Sequence, residues 1–355
     1  MKASERRSVI VWSADWTATT GQAIVTRRVI ERQIGIDWVT ASYGHGGLRS
    51  ILGMFGAVTR TFFYILIGRT RTVYLVCSRS GVGFLRDIPA LATAFLGVRV
   101  VVHVHGTDLN EMLASTWLGA ISRALYDRCE IIVPSSHLVD DLRMLTRAPV
   151  HVCENFVPME PDQLMNMSDQ IQNGPLIVWN SNIMASKGFF DLVKAVRLAR
   201  TNIPGLRLTA LGVPVRDGEM TAEEARDELN KLLDESWFTY VGSVSPEDAF
   251  RWTAMSDLYV FPSRKDCQPL ALMQAMCLAK PIIANDIPSL RATLGDYPAK
   301  LLPAPIPSVL AQAIEKMVHD VPSAELKIAA ADARDRFSSE RFDCFMSLIL
   351  DGKVF

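Results

Sequence analysis

The fold is decided by residues 260–285, which read VFPSRKDCQPLALMQAMCLAKPIIAN. Two apolar runs, at 258–261 and 281–284, have the length and composition of buried strands. Between them Pro269 suits the first turn of a helix, because its missing N–H would have no partner there, and the helical pattern runs to Lys280. The stretch therefore predicts a strand, a loop, a helix and a second strand.

The predicted helix is apolar on nearly every side, since residues 270–279 contain one polar side chain, Gln274. Such a helix must be covered on nearly every side, as a crossover helix against a parallel sheet is. The Gln274 amide then needs a hydrogen-bond partner or a ligand. The loop before the helix presents Asp266 and backbone N–H groups at a helix N-terminus, where phosphate groups bind. On these residues alone, a structural βαβ unit with a polar loop stays open as an alternative.

The same stretch resembles the donor-binding signature of glycosyltransferase family 4. That signature has a Pro-Ser turn, a Glu, a second Glu eight positions later, and a helix that ends in Gly-x-Pro. Asp266 and Gln274 stand at the two acidic positions, with the spacing kept and both residue types altered. The resemblance implies that the first contacts the transferred sugar and the second the ribose of the nucleotide. It also implies donor contacts at the helix start, from Cys267, Gln268, Pro269 and Leu270.

Length and composition favour two α/β domains. The chain has 355 residues, of which 49% are hydrophobic, enough to bury two cores. Its six cysteines show no Cys-x-x-Cys spacing, and the N-terminus shows no secretory leader. We therefore expect reduced thiols in a cytoplasmic protein, and no metal site.

The first 150 residues are basic. They carry 17 Lys and Arg against 11 Asp and Glu, and 16 of these cations are arginine. An arginine-rich half suggests an anionic partner, such as a lipid headgroup or a diphosphate carrier, and a solvated basic face without a partner is the alternative. No nucleic-acid partner is predicted.

Residues 48–68 are the most hydrophobic part of the chain. A membrane-spanning helix needs about 20 predominantly apolar residues, and Arg60 within the span would cost at least about 2.5 kcal/mol. The pattern therefore favours either an ordinary core helix or an amphipathic helix at a membrane surface. The second alternative predicts a peripheral contact of the N-terminal domain with an anionic membrane surface, at the inner face of the membrane.

A first strand at residues 8–12 is followed by a loop of small residues that contains Gly21. A glycine in such a loop lets the backbone approach a ligand. Family 4 enzymes carry a glycine-containing loop at the same place, so the resemblance implies that Gly21 binds the donor.

A later strand, at residues 99–104, leads into the sequence His-Gly-Thr-Asp at 105–108. His105 lies at the carboxyl end of this strand, where open parallel sheets bind ligands. The sequence resembles the family 4 motif whose histidine contacts the donor sugar near the scissile bond. The resemblance implies a catalytic role for His105 and a donor contact by Asp108, and a structural histidine is the alternative.

Residues 180–188 read NSNIMASKG and resemble the family's Gly-Arg-x-x-x-x-Lys-Gly segment, whose cations hold the donor diphosphate. Lys187 and Gly188 match this segment, whereas Ser181 and Asn182 stand where the family has glycine and arginine. Lys187 at a helix start can neutralise a leaving diphosphate. An exposed lysine at the helix cap is the alternative.

Three more positions complete the predicted donor site. Arg264, after the Pro-Ser turn, could supply the cation that Asn182 does not, and a solvated loop arginine is the alternative. Gly212 and Gly242 each follow an apolar run, and these runs match family strands whose carboxyl ends face the nucleotide.

The resemblance covers essentially the whole chain and implies a GT-B architecture, with two doubly wound Rossmann-like domains facing a central cleft. It implies an N-terminal acceptor-binding domain at 1–157, to which a C-terminal helix at about 338–355 returns. Residues 158–174 form the predicted linker, and 175–337 the nucleotide-sugar-binding domain.

The implied reaction is the metal-independent transfer of a hexose from a nucleotide-diphosphate sugar to a glycan or lipid-linked acceptor. It proceeds with retention of configuration and serves cell-surface polysaccharide biosynthesis, with catalytic roles for His105, Lys187 and Asp266. No cofactor is expected, because the nucleotide sugar is a substrate. Two alternatives stay open: a nucleotide-sugar epimerase on the same fold, and a binding protein whose catalysis is altered by Gln274 and Asn182.

Overall fold

The computed structural model describes residues 7–14, 21–33, 36–43, 47–78, 81–115, 117–158, 174–320 and 323–353. The chain forms two compact units, one of Met1–Asn155 with Glu340–Phe355 and one of Phe156–Ser339. Residues 159–173, nearly all of the predicted linker, lie outside the described residues. The roles predicted for the two domains, acceptor binding and donor binding, stay predictions.

The first unit is built on a parallel sheet. Its strands are β1 (Arg7–Ala14), β2 (Ile36–Tyr43), β3 (Thr70–Val76), β4 (Arg99–His103), β5 (Glu130–Val133) and β6 (Val150–Val152). They lie in the order β2-β1-β3-β4-β5-β6. The helices are α1 (Gly21–Arg32), α2 (Gly47–Leu66), α3 (Gly81–Ala92), α4 (Asp108–Ala114), α5 (Trp117–Tyr126) and α6 (Val139–Leu145).

The central strands of this sheet are apolar along their length, as is typical of parallel strands that are covered on both faces. Residues 9–12 of β1, 73–76 of β3, 100–102 of β4 and 131–133 of β5 are all buried. Side chains on both faces of the sheet are therefore buried. The polar residues that are candidates for chemistry lie at the ends of the strands.

The second unit holds the strands β7 (Leu176–Asn180), β8 (Arg207–Leu211), β9 (Phe238–Gly242), β10 (Tyr259–Phe261), β11 (Ile282–Asn285) and β12 (Lys300–Leu302). They form two parallel groups, β7-β8-β9 and β10-β11-β12, which a parallel bridge between Ile177 and Leu258 connects. The helices are α7 (Phe189–Ala199), α8 (Ala222–Asn230), α9 (Pro246–Met255), α10 (Leu270–Cys277), α11 (Pro288–Leu294), α12 (Pro307–Met317) and α13 (Ala324–Arg336).

The strand order changes direction between β7 and β10. From there β8 and β9 extend to one side, and β11 and β12 to the other. In an open α/β sheet, a ligand binds outside the carboxyl ends of the strands at this switch point. The loops that follow β7 and β10 therefore lie where a site is expected.

The predicted order of strand, loop, helix and strand at 260–285 is confirmed by β10, α10 and β11. The helix is shorter than predicted, because it ends at Cys277 and not at Lys280. Ala279 adopts a left-handed φ of +54°. The N–H groups of Ala279 and Lys280 donate to the carbonyls of Met276 and Ala275, each at 3.1 Å. This is the hydrogen-bond pattern of a Schellman turn, in which glycine usually holds the left-handed position.

The last helix, α14 (Ser339–Leu350), belongs to the first unit from Glu340 onward. Arg28 Nε donates to Asp343 Oδ1 at 2.9 Å, on the side of this helix. Arg99 donates to the carbonyls of Ile349 and Leu350 at its end. A cation at the last carbonyls of a helix also opposes the negative end of its dipole.

We expect Ala279→Gly to stabilise the protein by about 0.5–1 kcal/mol. The left-handed conformation costs a residue with a Cβ about 1–2 kcal/mol, whereas the entropic cost of glycine is about 0.5–1 kcal/mol. The measurement is the urea midpoint at unchanged slope. Ala271→Gly, inside α10, is the matched control and should destabilise by about 1 kcal/mol. A lower midpoint for Ala279→Gly would contradict the assigned turn.

Candidate active site

The loops after β7 and β10 bring two of the predicted catalytic residues together. Lys187 Nζ lies 3.5 Å from Asp266 Oδ2, and the side chains are 25% and 14% exposed. The Lys187 ammonium also donates to Ser181 Oγ at 3.0 Å. An ammonium and a carboxylate that are 79 residues apart in sequence thus form a partly buried pair at the switch point of the sheet.

Gly188 makes this approach possible. Its φ is +80°, and a Cβ there would lie 2.4 Å from the carbonyl oxygen of Pro262. A residue with a side chain would therefore push the loop before α7 away from the turn after β10. Gly188 has a packing reason to be glycine, and this reason also places Lys187 beside Asp266.

Asp217 holds the turn before Lys187. It accepts a hydrogen bond from the Ser186 N–H at 2.8 Å, and others from the N–H groups of Glu219 and Met220. Burial by itself would raise the pKa of Asp217, but these hydrogen bonds outweigh it and hold the pKa below its ordinary value. The carboxylate is therefore ionised at neutral pH and fixes the backbone of the Lys187 turn.

The two oxygens of Asp266 have different surroundings. Oδ1 accepts a hydrogen bond from the Cys267 N–H at 2.9 Å. Oδ2 is buried, and it has no hydrogen-bond partner within the described residues beyond the nearby Lys187 ammonium. Asp266 thus keeps one oxygen that can accept a hydrogen bond.

The charge of Asp266 also acts on Tyr259. Burial, and after it this charge, raise the pKa of Tyr259 well above its ordinary value.

Gln274 belongs to a polar network under the end of β7. It is 7% exposed, and its Oε1 accepts a hydrogen bond from Asn180 Nδ2 at 2.8 Å. The same Nδ2 lies 3.1 Å from Thr253 Oγ1, whose hydroxyl donates to the Ala249 carbonyl. Because the threonine hydrogen is already used, its oxygen must accept, and this fixes the orientation of both amides. Gln274 has a structural partner, and its predicted ribose contact stays a prediction.

The predicted glycines Gly212 and Gly242 have left-handed φ values of +92° and +84°. A Cβ at Gly212 would lie 2.2 Å from the carbonyl oxygen of Ser181, so the end of β8 packs directly against the loop after β7. The Gly212 N–H donates to the Gly242 carbonyl at 2.7 Å. These contacts account for glycine at 212 by backbone packing.

The charge of Arg264 is compensated by two carboxylates. Its guanidinium pairs with Asp191 on α7 at 2.5 Å and lies 3.8 Å from Glu219. It also donates to the Ala185 carbonyl at 2.8 Å. Asn182 is exposed, so its amide is available to solvent. The roles predicted for Arg264 and Asn182 in donor binding stay predictions.

The start of α10 is packed into the unit. Cys267, Gln268 and Pro269 are buried, and Leu270 is half-buried. Asn285, at the end of β11, donates to the carbonyls of Pro262 and Ser263 at 3.0 and 3.1 Å. The Pro-Ser turn is therefore held from the neighbouring strand.

In the first unit, β4 ends at His103, and His105 follows it half-buried. The centroids of the two histidine rings are 4.2 Å apart. His103 is fully buried, and its Nδ1 lies 2.6 Å from the Tyr74 hydroxyl. Burial, and then the neighbouring His105, lower the pKa of His103 well below its ordinary value, so its ring is neutral.

His105 and Asp108 share a small pocket at the carboxyl ends of β3 and β4. Burial, and then the Asp87 carboxylate, raise the pKa of the Cys77 thiol in this pocket to about 12, so it is protonated. The pocket is lined by Cys77, Ser78, Val104, His105, Gly106, Asp108 and Leu109.

The predicted donor contact Gly21 is exposed at the first position of α1, and the loop before it lies outside the described residues.

Four polar residues of the second unit were not predicted from the sequence: Asn180, Ser181, Thr253 and Asn285. Asn180 and Asn285 each close an apolar strand, at the edge where parallel sheets bind ligands. That position is a signal that the sequence contains. Ser181 lies in the 180–188 segment, six residues before its partner Lys187, but the family has glycine at this position and its hydroxyl was not expected to contribute. Thr253 carries no such signal, because its partner Asn180 is 73 residues away in sequence.

Within the described residues, no group of three His, Cys, Asp or Glu side chains could hold a metal ion. No helix in those ranges combines the length and apolar character that crossing a membrane requires.

Comparison with known proteins gives the class of the second unit. The family model for group 1 glycosyl transferases matches residues 174–320. The α-D-kanosaminyltransferase of Streptomyces kanamyceticus is 19% identical in an alignment of 306 positions that covers 77% of this chain and 76% of that protein.

Solved structures are similar along nearly the whole chain. The sucrose-phosphate synthase of Thermosynechococcus elongatus has a TM-score of 0.74 at 15% identity, covering 98% of this chain and 99% of that one. HepE of Anabaena, solved with UDP and glucose, has a TM-score of 0.72 at 15% identity, covering 97% and 99%. The fold is GT-B, with two Rossmann-like α/β domains. The chain is a glycosyltransferase with the GT-B fold, and the match to the group 1 family model covers residues 174–320 of its second unit.

We expect Gln274→Met to destabilise the protein by about 1 kcal/mol. The substitution keeps the length and packing of the side chain but removes the acceptor for Asn180 Nδ2, which then keeps Thr253 alone. The check is the urea midpoint, and Gln312→Met, which makes the same change at an exposed position of α12, is the control and should leave the midpoint unchanged. An unchanged midpoint for Gln274→Met would mean that the network does not contribute to stability.

Proposed function

We propose that this glycosyltransferase moves a hexose from a nucleotide-diphosphate sugar to a glycan or lipid-linked acceptor, with retention of configuration. We further propose that the product serves cell-surface polysaccharide biosynthesis. The observation that carries the proposal is the pair of Lys187 and Asp266 at the switch point of the second unit, 3.5 Å apart. A cation and an acceptor side by side suit a ligand that joins a diphosphate to a hydroxyl-bearing sugar.

In the proposed reaction the bond between the anomeric carbon and the diphosphate oxygen breaks, and the acceptor hydroxyl oxygen bonds to that carbon. The hydroxyl proton passes to the departing phosphate, so no side chain has to act as general base. Lys187 opposes the negative charge that develops on the leaving oxygen. Asp266 Oδ2 accepts a hydrogen bond from a sugar hydroxyl, which a carboxylate does more strongly than a neutral group.

The nucleotide-sugar donor is supported by the similar structures, since HepE of Anabaena was solved with UDP-glucose as well as with UDP and glucose. A trehalose-phosphate synthase of Burkholderia vietnamiensis described as UDP-forming has a TM-score of 0.68 at 10% identity. Retention and the metal-independent mechanism rest on the resemblance of the 180–188 and 260–285 segments to family 4.

The donor is found by screening UDP-glucose, dTDP-glucose, ADP-glucose and GDP-mannose for thermal stabilisation. A ligand at 100 times its dissociation constant stabilises the folded state by about 2.7 kcal/mol. Release of the nucleoside diphosphate together with a glycosylated acceptor supports the transferase. Conversion of the donor to an epimer, or binding without any turnover, would support one of the two alternatives.

A second part of the proposal concerns the surface of α2. One face of this helix exposes large apolar side chains at intervals of 3, 8 and 3 residues, which is the spacing of a single helical stripe. Ala57 and Thr61 are buried on the opposite face. The exposed side chains are Leu52 at 65%, Phe55 at 74%, Phe63 at 57% and Leu66 at 82%.

We assign this stripe to peripheral contact with an anionic membrane surface. Arg60, Arg69 and Arg71 are exposed on or directly after the helix, and the first 150 residues carry an excess of cations. Apolar side chains that enter the headgroup region and flanking cations that face anionic lipids are the two components of interfacial binding.

We expect Lys187→Met to lower kcat at least about tenfold. It removes the charge at the leaving oxygen and keeps most of the apolar stem, and one such group contributes about 100- to 1000-fold in other enzymes. The measurement is release of the nucleoside diphosphate from the donor that the screen identifies. Lys194→Met, at an exposed position of α7, is the control and should leave kcat unchanged. If both variants turn over like the wild type, Lys187 does not act on the donor.

We expect the protein to sediment with phosphatidylglycerol vesicles at low salt and to dissociate as salt rises, because screening acts over about 10 Å at 0.1 M. The double variant Phe55→Ser, Phe63→Ser should bind at least about tenfold more weakly, since each buried phenylalanine contributes about 1.5–3 kcal/mol. Met144→Ser, which changes another exposed apolar residue of the first unit, is the control. Equal binding to neutral and anionic vesicles, or by the double variant and wild type, would contradict the assignment.

A further inference from the structure

Lys187 is held between two separate loops. Its Nζ donates to Ser181 Oγ at 3.0 Å, in the loop after β7, and lies 3.5 Å from Asp266 Oδ2, in the loop after β10. An ammonium has three hydrogens. The hydrogen bond to Ser181 uses one of them and the ion pair with Asp266 orients the ammonium, so within the described residues at least one N–H remains to donate to a ligand.

Ser181 is itself firmly placed, which is what an anchor requires. Its carbonyl oxygen accepts a hydrogen bond from Trp179 Nε1 at 2.8 Å, and the Trp179 ring is buried. The same carbonyl packs against Gly212, where a Cβ would be 2.2 Å away. The backbone that carries the Ser181 hydroxyl is therefore fixed on two sides by groups that do not depend on Lys187.

Fixing the ammonium matters because a lysine side chain has high conformational freedom. When ordering happens on ligand binding, the lost rotamer freedom weakens the binding. A lysine that the protein has already ordered can oppose charge in the transition state without this cost. Asn182 stands where the family has arginine and is neutral, and Arg264 is already paired with Asp191.

We propose that Ser181 is a positioning residue for the glycosyl transfer, acting through Lys187. Its hydroxyl holds the Lys187 ammonium beside Asp266, at the place where the donor diphosphate is neutralised. The inference rests on the proposed function, in which Lys187 is the cation that opposes the leaving diphosphate.

The test is a double-mutant cycle on kcat and KM, with Ser181→Ala, Lys187→Met and both together, on the donor identified among UDP-glucose, dTDP-glucose, ADP-glucose and GDP-mannose. Ser181→Ala should lower kcat three- to tenfold with a smaller change in KM. In the Lys187→Met background the same substitution should change kcat less than twofold. Ser181→Thr keeps the hydroxyl and should restore kcat to within twofold of wild type.

A second readout, which needs no turnover, is the affinity for inorganic diphosphate. It is measured by calorimetry for the wild type, the two single variants of the cycle and the double variant. It should fall with Ser181→Ala only when Lys187 is present. Ser181→Gly also lacks the hydroxyl and replaces the alanine variant if that variant does not fold.

Equal factors for Ser181→Ala in both backgrounds would overturn the inference, because they would indicate a structural role independent of Lys187. An unchanged kcat in the wild-type background would overturn it as well. If Lys187→Met itself leaves kcat unchanged, the proposed role of Lys187 fails first and the inference fails with it. The results therefore distinguish the two failures.

Discussion

The second unit depends on close backbone contacts that glycine alone permits. Gly188 lies against the Pro262 carbonyl, and Gly212 against the Ser181 carbonyl, at distances where a Cβ would overlap the oxygen. Both residues also have left-handed φ values. Because of these contacts, the loops after β7, β8 and β10 meet at one place. Had either position a side chain, the ammonium of Lys187 and the carboxylate of Asp266 would no longer face each other.

The partly buried ion pair has a cost as well as a benefit. Two charges leave bulk water, and their mutual attraction compensates for this loss only when further hydrogen bonds complete the arrangement. Here the Cys267 N–H and the Ser181 hydroxyl provide them, one on each partner. Each partner of the pair thus has a further hydrogen bond. Under the proposed function, the donor diphosphate binds an ammonium that is already oriented, whereas an exposed lysine would first have to be ordered.

The sequence allowed the fold and the positions of the chemistry to be predicted, but not the contacts among them. The spacing of Asp266 and Gln274, and the Lys-Gly pair at 187–188, follow from local motifs. Asn180 and Thr253 are 73 residues apart in sequence, and no local pattern relates them. The sequence predicts that α10 continues beyond its observed end, because an alanine and not a glycine takes the left-handed position at 279. Hydrophobicity likewise could not distinguish a core helix from a surface helix at α2. That distinction depends on which side of the helix packs against β2 and the rest of the unit and which side stays exposed.

The amide at 274 is best understood from the network that holds it. A carboxylate at this depth would have Asn180 Nδ2 as its one hydrogen-bond donor within the described residues, and burying an ionised group with so little compensation is costly. The neutral Gln274 satisfies Asn180 with its oxygen and needs no counter-charge. A carboxylate would bind a hydroxyl more strongly than an amide does. Where the family signature has an acid, this chain therefore has a neutral amide that the Asn180 side chain satisfies, and the predicted catalytic charges are those of Lys187 and Asp266.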